Sequence, residues 1–210
     1  MRSISLAVLA VVIAVGLRAA EGPPAAGKPA EKGAKGEKAG GKAREPVRLF
    51  DGKTLQGWKV LGCEAVVQDG AIFLKGGNGV VRTERKYKDY VFEVEWKALK
   101  PDKWDSGIYI RCDDPPQGEP WPKVYQVNLL KGMEGNVQEL QSARSSGLVK
   151  QGEWNRFKLT VTGTKAELEI NGKPAWKADG LKKPEGYIAL QAEVPGGGQF
   201  LFREAKITEL

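Results

Sequence analysis

"NRFKLTVTGTKAELEINGKPAWKAD", residues 155–179, alternates apolar and polar side chains with a period of two and contains no helical spacing. That alternation puts successive side chains on opposite faces of a half-buried strand. Gly163-Thr164 and Asn171-Gly172 interrupt it, and Asn-Gly is a strong signal for a tight hairpin. The segment therefore reads as two or three antiparallel strands joined by short turns.

The same pattern recurs outward in both directions. "AIFLKG" (71–76), "YVFEVEWKAL" (90–99), "SGIYIRC" (106–112), "KVYQVNLL" (123–130), "GYIALQAEV" (186–194) and "QFLFREAKITEL" (199–210) are further strand candidates, separated by Gly, Pro and Asn turns. Residues 131–146 read as a long loop or a short helix. Many short strands without intervening helices predict an all-β fold, an antiparallel two-sheet sandwich of jelly-roll type.

Only part of the 210 residues belongs to that domain. Residues 1–20 carry an early Arg2, an apolar run from Ile4 to Leu17 and small residues at Ala19 and Ala20. They read as a secretory signal peptide, too short and wrongly flanked for a transmembrane anchor, so export to the periplasm or cell surface is expected. Residues 21–46 use almost only Glu, Gly, Pro, Ala, Lys and Arg, with no aromatic to build a core. They read as a flexible tether, a spacer or an electrostatic contact with an acidic surface polymer. Residues 47–210 then form one domain of a size that supports a core.

Charge and composition exclude several classes. Residues 1–46 hold eight Lys/Arg and four Glu, so only +3 of the formal +7 remains for the domain. Without a nucleic-acid motif, that balance gives no reason to expect a nucleic-acid partner. The chain contains no His, which removes Ser-His-Asp and Cys-His catalysis and His-ligated zinc. Two cysteines, Cys63 and Cys112, lack C-x-x-C spacing. In an exported chain they can form one disulfide or remain as free thiols, and parity turns Cys112 inward with Ile108 and Ile110.

Parity also distributes the polar residues. Tyr90, Phe92, Val94 and Trp96 share the core side of their strand, leaving Glu93 and Glu95 opposite. Ile108 and Ile110 leave Tyr109 and Arg111; Tyr125, Val127 and Leu129 leave Gln126 and Asn128; Ile188, Leu190 and Ala192 leave Gln191 and Glu193. Planar amides, Arg and Tyr hydrogen-bond sugar hydroxyls, and an indole covers the apolar face of a pyranose. Trp104 and Trp121, in the loops flanking "SGIYIRC" and "KVYQVNLL", complete a predicted carbohydrate-binding face, although each also suits a packing role. "DGKTLQGW" (51–58) reads as a turn pinned by a buried indole. "EVPGGGQF" (193–200) reads as a hairpin loop, because no helix or Lys-Ser/Thr follows to make a phosphate loop.

"RLFDGKTLQGWKV", "FEVEWK", "SGIYIR", "YQVNLL", "GEWNRFKLTVTG", "LEINGKPAW" and "GYIALQ…FREAKITEL" follow one another in this order. Together they resemble the 3-keto-disaccharide hydrolase domain family, formerly a domain of unknown function, across essentially all of 47–210. The resemblance implies a concanavalin A-like lectin/glucanase jelly roll, usually exported, and in members with assigned activity cleavage of the glycosidic bond of 3-keto-glycosides. Ser106, Gly107 and Arg111 keep the family element. Gln126 stands where the family carries a carboxylate, Asn128 where it carries an amide, Lys131 where it carries Asp, and Glu193 where it carries His or Glu.

A neutral Gln126 can be neither base nor nucleophile. A 3-keto group, however, acidifies the neighbouring C–H, so one base and one carbonyl-polarising group suffice for elimination. The expected catalytic residues are Glu93, Glu193 and Arg111, with Glu95, Tyr109, Gln126, Asn128, Gln191, Trp104 and Trp121 binding substrate. Ca2+ is the natural ion if a metal takes part. The alternatives are a non-catalytic lectin-like carbohydrate-binding module of the same fold and a structural envelope protein.

Overall fold

A computed structural model describes residues 44–210; the predicted signal peptide and all but the last residues of the tether lie outside them. Eleven strands follow in order: β1 (Val47–Arg48), β2 (Trp58–Gln68), β3 (Ala71–Thr83), β4 (Tyr90–Ala98), β5 (Gly107–Cys112), β6 (Gln126–Asn128), β7 (Asn155–Thr162), β8 (Lys165–Ile170), β9 (Lys173–Asp179), β10 (Tyr187–Val194) and β11 (Phe200–Glu209). No helix occurs among the described residues, and residues 131–146 are a loop of successive turns. The predicted hairpins of 155–179 form as β7, β8 and β9, with Asn171 in the left-handed region (φ 52°) beside Gly172.

The sandwich expectation changes in one respect. The strands join into one continuous, curled antiparallel sheet, in the order β6-β5-β10-β3-β11-β4-β7-β8-β9, with β2 along β3 and β1 on β11. β3 is the link. Its second half pairs with β10 (Val194↔Gly77 to Ala189↔Arg82) and its first half with β11 (Phe200↔Leu74 to Phe202↔Ile72). The second half opens with the run "GGNG" (76–79), opposite a bulge at Gly62 in β2. A Cβ on Gly79 would stand 2.6 Å from the carbonyl carbon of Gly62, so only glycine lets the hairpin turn this corner. Two sheets are thereby drawn into one.

The main apolar core takes residues from both halves, among them Ile108, Ile110, Ile188 and Leu190 from one and Phe92, Trp96, Phe157 and Phe202 from the other. Trp96 meets Phe157 edge to face at 5.5 Å between ring centroids. A smaller cluster of Val80, Tyr109, Cys112 and Ala189 lies on the opposite face of β3, β5 and β10, with Trp121 packed against it. Trp58 is buried, and its indole N–H donates to Leu49 O at 2.6 Å while Asp51 accepts the amides of Lys53 and Thr54, giving the pinned turn.

Candidate active site

The site grows from the register of three strands. β5 pairs with β6 (Gly107↔Asn128, Tyr109↔Gln126) and with β10 (Ile108↔Leu190). Gln126, Tyr109 and Gln191 therefore share the face away from the main core. Ser106, fully buried, donates its hydroxyl to Gln191 O at 2.7 Å and pins the start of β5 to β10. Gly107 leaves the space through which two amides meet. A Cβ there would stand 2.6 Å from Gln126 Cγ and 2.8 Å from Gln191 Oε1. Gln126 Nε2 donates to Gln191 Oε1, and Gln191 Nε2 donates to Glu193 Oε2 at 3.1 Å. An amide relay thus crosses the sheet and ends on a carboxyl.

Glu193 opens into a cavity of about 650 Å³ whose lining includes Asp105, Asp102, Lys103, Lys131 and Gly197. The amide of Asp105 donates to Gly197 O at 2.9 Å, and a Cβ on Gly197 would come within 2.8 Å of the Asp105 carbonyl carbon. The glycines of "VPGGGQ" (194–199) therefore serve a close approach that brings the Asp105 and Glu193 segments together. Burial pushes the Asp105 carboxyl above its usual value, against one backbone hydrogen bond. Burial raises Glu193 as well, and the charge of Asp105 raises it further. Two carboxyls with raised proton affinity in one cavity are suited to exchanging protons with a ligand.

Cations and aromatics form the surroundings. Lys131 pairs with Asp102 at 2.5 Å and lies 5.2 Å above the Trp104 ring. Lys100 Nζ donates to Lys103 O and Gly196 O, clamping the two loops that wall the cavity. Tyr109 is buried, and desolvation drives its hydroxyl far above the ordinary phenol range, followed by the charges of Cys112, Glu139, Asp105 and Glu193. Trp121 lies over the same face, its indole N–H donating to Ala192 O at 3.0 Å. Asn128 turns its Oδ1 back to the Leu130 amide at 2.6 Å.

Glu193, Gln191, Gln126, Tyr109, Asn128 and Trp121 thus belong to one neighbourhood, whereas four expected residues do not. Arg111 is 1 % exposed and sits in the left-handed region (φ 46°), at a bulge where β5 gains one residue relative to β10. The bulge reverses parity: Arg111 turns inward, and Cys112 faces out with Tyr109. All five guanidinium N–H groups are committed, to Lys88 O, Gly163 O, Lys183 O and Asp89 at 2.6–3.0 Å. Arg111 is a structural lock with no donor left for a substrate.

Glu93 and Glu95 lie on β4 in the other half of the sheet. Glu93 pairs with Arg156 and Lys206, and Glu95 with Arg203 at 2.7 Å. Burial favours the protonated form of Glu93, but the Arg156 hydrogen bond and the Arg156, Lys206 and Lys158 charges outweigh it and hold the carboxyl below its usual range. Both belong to an ion-pair surface, because alternation alone cannot tell one outer face from the other. Trp104, 3 % exposed, packs into the main core and backs the cavity wall beneath Lys131 without lining the cavity itself.

Cys63 and Cys112 are free, Cys63 packing against the main core and Cys112 within the cluster on the opposite face. Asp105 was missed. Its signal was its place in "WDSG" (104–107), one residue from the strand start that pins Gln191.

Among the described residues no group of three or more His, Cys, Asp or Glu side chains could hold a metal ion. No described helix is long and apolar enough to cross a membrane.

The curled β-sheet fold has relatives. Residues 45–208 match the family described as 3-keto-alpha-glucoside-1,2-lyase-like domain, and the chain belongs to it. A protein named "Putative glycosyl hydrolase" from Parabacteroides distasonis ATCC 8503 is 20% identical over 79% of this chain and 100% of its own, with a TM-score of 0.62. The carbohydrate-binding module CBM66 from Bacillus subtilis is 11% identical over 73% of this chain and 96% of its own (TM-score 0.58). A β-glucanase from Bacillus licheniformis is 13% identical over 81% and 99% (TM-score 0.53). At these identities the structures share the fold alone. No curated protein matches the chain.

Proposed function

We propose that the Asp105–Glu193 cavity binds a 3-keto-glycoside and cleaves its glycosidic bond by elimination. The observation that carries this reading is the pair of carboxyls in one cavity, both raised by burial and Glu193 also by its neighbour's charge. The charge of Asp105 adds to burial in favouring protonated Glu193, so we assign Glu193 as the acid and Asp105 as the base. The ionised Asp105 takes the proton from C2, made acidic by the C3 ketone. The C–H electrons form the C1=C2 bond, the C1–O bond breaks, and the departing oxygen takes the Glu193 proton. The products are an enone and the free aglycone. Proton transfer from Asp105 to Glu193 resets the site, and water addition to the enone would complete a net hydrolysis. Lys131 and Lys103 are the cations placed along the cavity to favour a developing enolate.

Gln126 supports a second reading, a lectin-like module, because it is neutral where the family carries a carboxylate. Purified protein incubated with glycosides and their 3-keto derivatives, followed by aglycone release and thermal shift together, separates the two. Release from keto substrates alone supports the lyase-like reading, whereas a thermal shift without release supports the binding module. We also propose that residues 1–20 direct export. Retention of the unprocessed chain in the cytoplasm of the native host would refute that.

A further inference from the structure

We infer that Gln126 acts through Gln191 as a positioning residue for Glu193, its amide donor setting the direction of the relay and with it the protonation state that Glu193 favours. A primary amide has one accepting and one donating end, and a carboxylate only accepts. Gln126 Nε2 donates to Gln191 Oε1, which obliges Gln191 to present its N–H2 to Glu193. Gln191 is 3 % exposed and crosses above Gly107, so it has no solvent to turn into. A donor aimed at Glu193 favours its ionised form. If the Gln191 amide were reversed, its carbonyl would face Glu193 and favour the protonated acid.

Residue 126 chooses between these states from two strands away. A carboxylate at 126 could only accept, drawing the Gln191 N–H2 toward itself and turning the Gln191 oxygen to Glu193. The other groups around Glu193 are Asp105 from the β4–β5 connection, Tyr109 on β5, and Asp102, Lys103 and Lys131 along the cavity. Burial and the Asp105 charge act against ionisation of Glu193; a donor held on its carboxyl by the relay acts in the opposite direction. In the proposed reaction this eases loss of the Glu193 proton to the leaving group. That consequence rests on the proposed function; the protonation state itself does not.

The test is a carboxyl-carbon NMR titration of the full-chain protein labelled at Glu, with Glu193 assigned by its loss in Glu193→Gln. Wild type, Q126E, Gln191→Leu and the double variant are compared. The Glu193 midpoint is expected to move to higher pH in Q126E, and to move distinctly less when the same substitution is made without Gln191. Equal shifts with and without Gln191 would overturn the inference, because the new charge would then be acting through space, and so would an unchanged midpoint in Q126E. If Q126E does not fold, Gln126→Met removes the donor without adding charge: an upward shift supports the relay and no shift overturns it. The titration needs no substrate, so absence of aglycone release would refute the catalytic reading while leaving the relay to be decided by NMR.

Discussion

Replacing Arg111 by Met separates a structural lock from a catalytic cation. The guanidinium ties together three loops at one end of the sheet: Lys88 and Asp89 between β3 and β4, Gly163 between β7 and β8, and Lys183 before β10. Asp89 also accepts the Gly163 amide at 2.8 Å, so the loops share one network. Methionine fills a similar volume but leaves three carbonyls and one carboxylate without their donor. Removing one partner of a buried charged network costs about 3–5 kcal/mol. For a domain of this size that lowers the melting temperature by roughly 6–20 °C. Arg111→Lys recovers little, since one ammonium cannot span the three loops. Urea denaturation followed by circular dichroism measures the loss. Aglycone release, or ligand thermal shift if no release occurs, is read well below the variant's melting point. Lost stability with retained function on the folded fraction is expected. Unchanged stability with abolished function would refute the lock and return Arg111 to the chemistry.

Asp105→Asn should lower aglycone release by about 10²–10⁴-fold, as loss of a general base does, with the fold intact by circular dichroism. It should also raise the melting temperature at neutral pH. A carboxyl raised in the folded state contributes stability below its unfolded value and loses it as pH rises through the folded one. The advantage of the variant should therefore vanish below the ordinary Asp value of 3.8, and a pH series of melting curves checks this. Gly107→Ala should cost about 1–3 kcal/mol by overpacking the amide crossing, measured in urea, and should disturb ligand binding as well. Burial raises the Cys63 thiol to about 11 and the Cys112 thiol to about 12. Alkylation of Cys112 should accordingly require unfolding, and reductant should leave the melting temperature unchanged, both read by mass spectrometry and calorimetry.

Strand alternation and turn chemistry made most of the fold legible, because β7 and β8 alternate with a period of two and the turns of 155–179 announce the hairpins. β2 was not legible. Its alternation breaks at Gly62, where the bulge and the glycine corner of β3 turn the hairpin, and that corner is also what merges the expected two sheets. The site divides along the same line. Gln126, Gln191 and Glu193 could be placed on a common face because β6 and the C-terminal half of β10 keep their register. Arg111 could not, since one inserted residue in β5 reverses every direction inferred beyond Ile110. Glu93 and Glu95 obey parity perfectly and still lie elsewhere, because period two defines two faces per strand and says nothing of which strands are neighbours.

Asp105 shows the remaining limit. No periodicity reaches a loop residue. What places it is a pair of long-range contacts, Ser106 to Gln191 and Asp105 to Gly197, that join segments about ninety positions apart in the chain. The glycines of residues 194–199, read from sequence as a plain hairpin, become informative once Asp105 is seen against them. They are small because a carboxyl-bearing strand start passes there, and the acid and the base of the proposed reaction meet only because both segments are held at that spot.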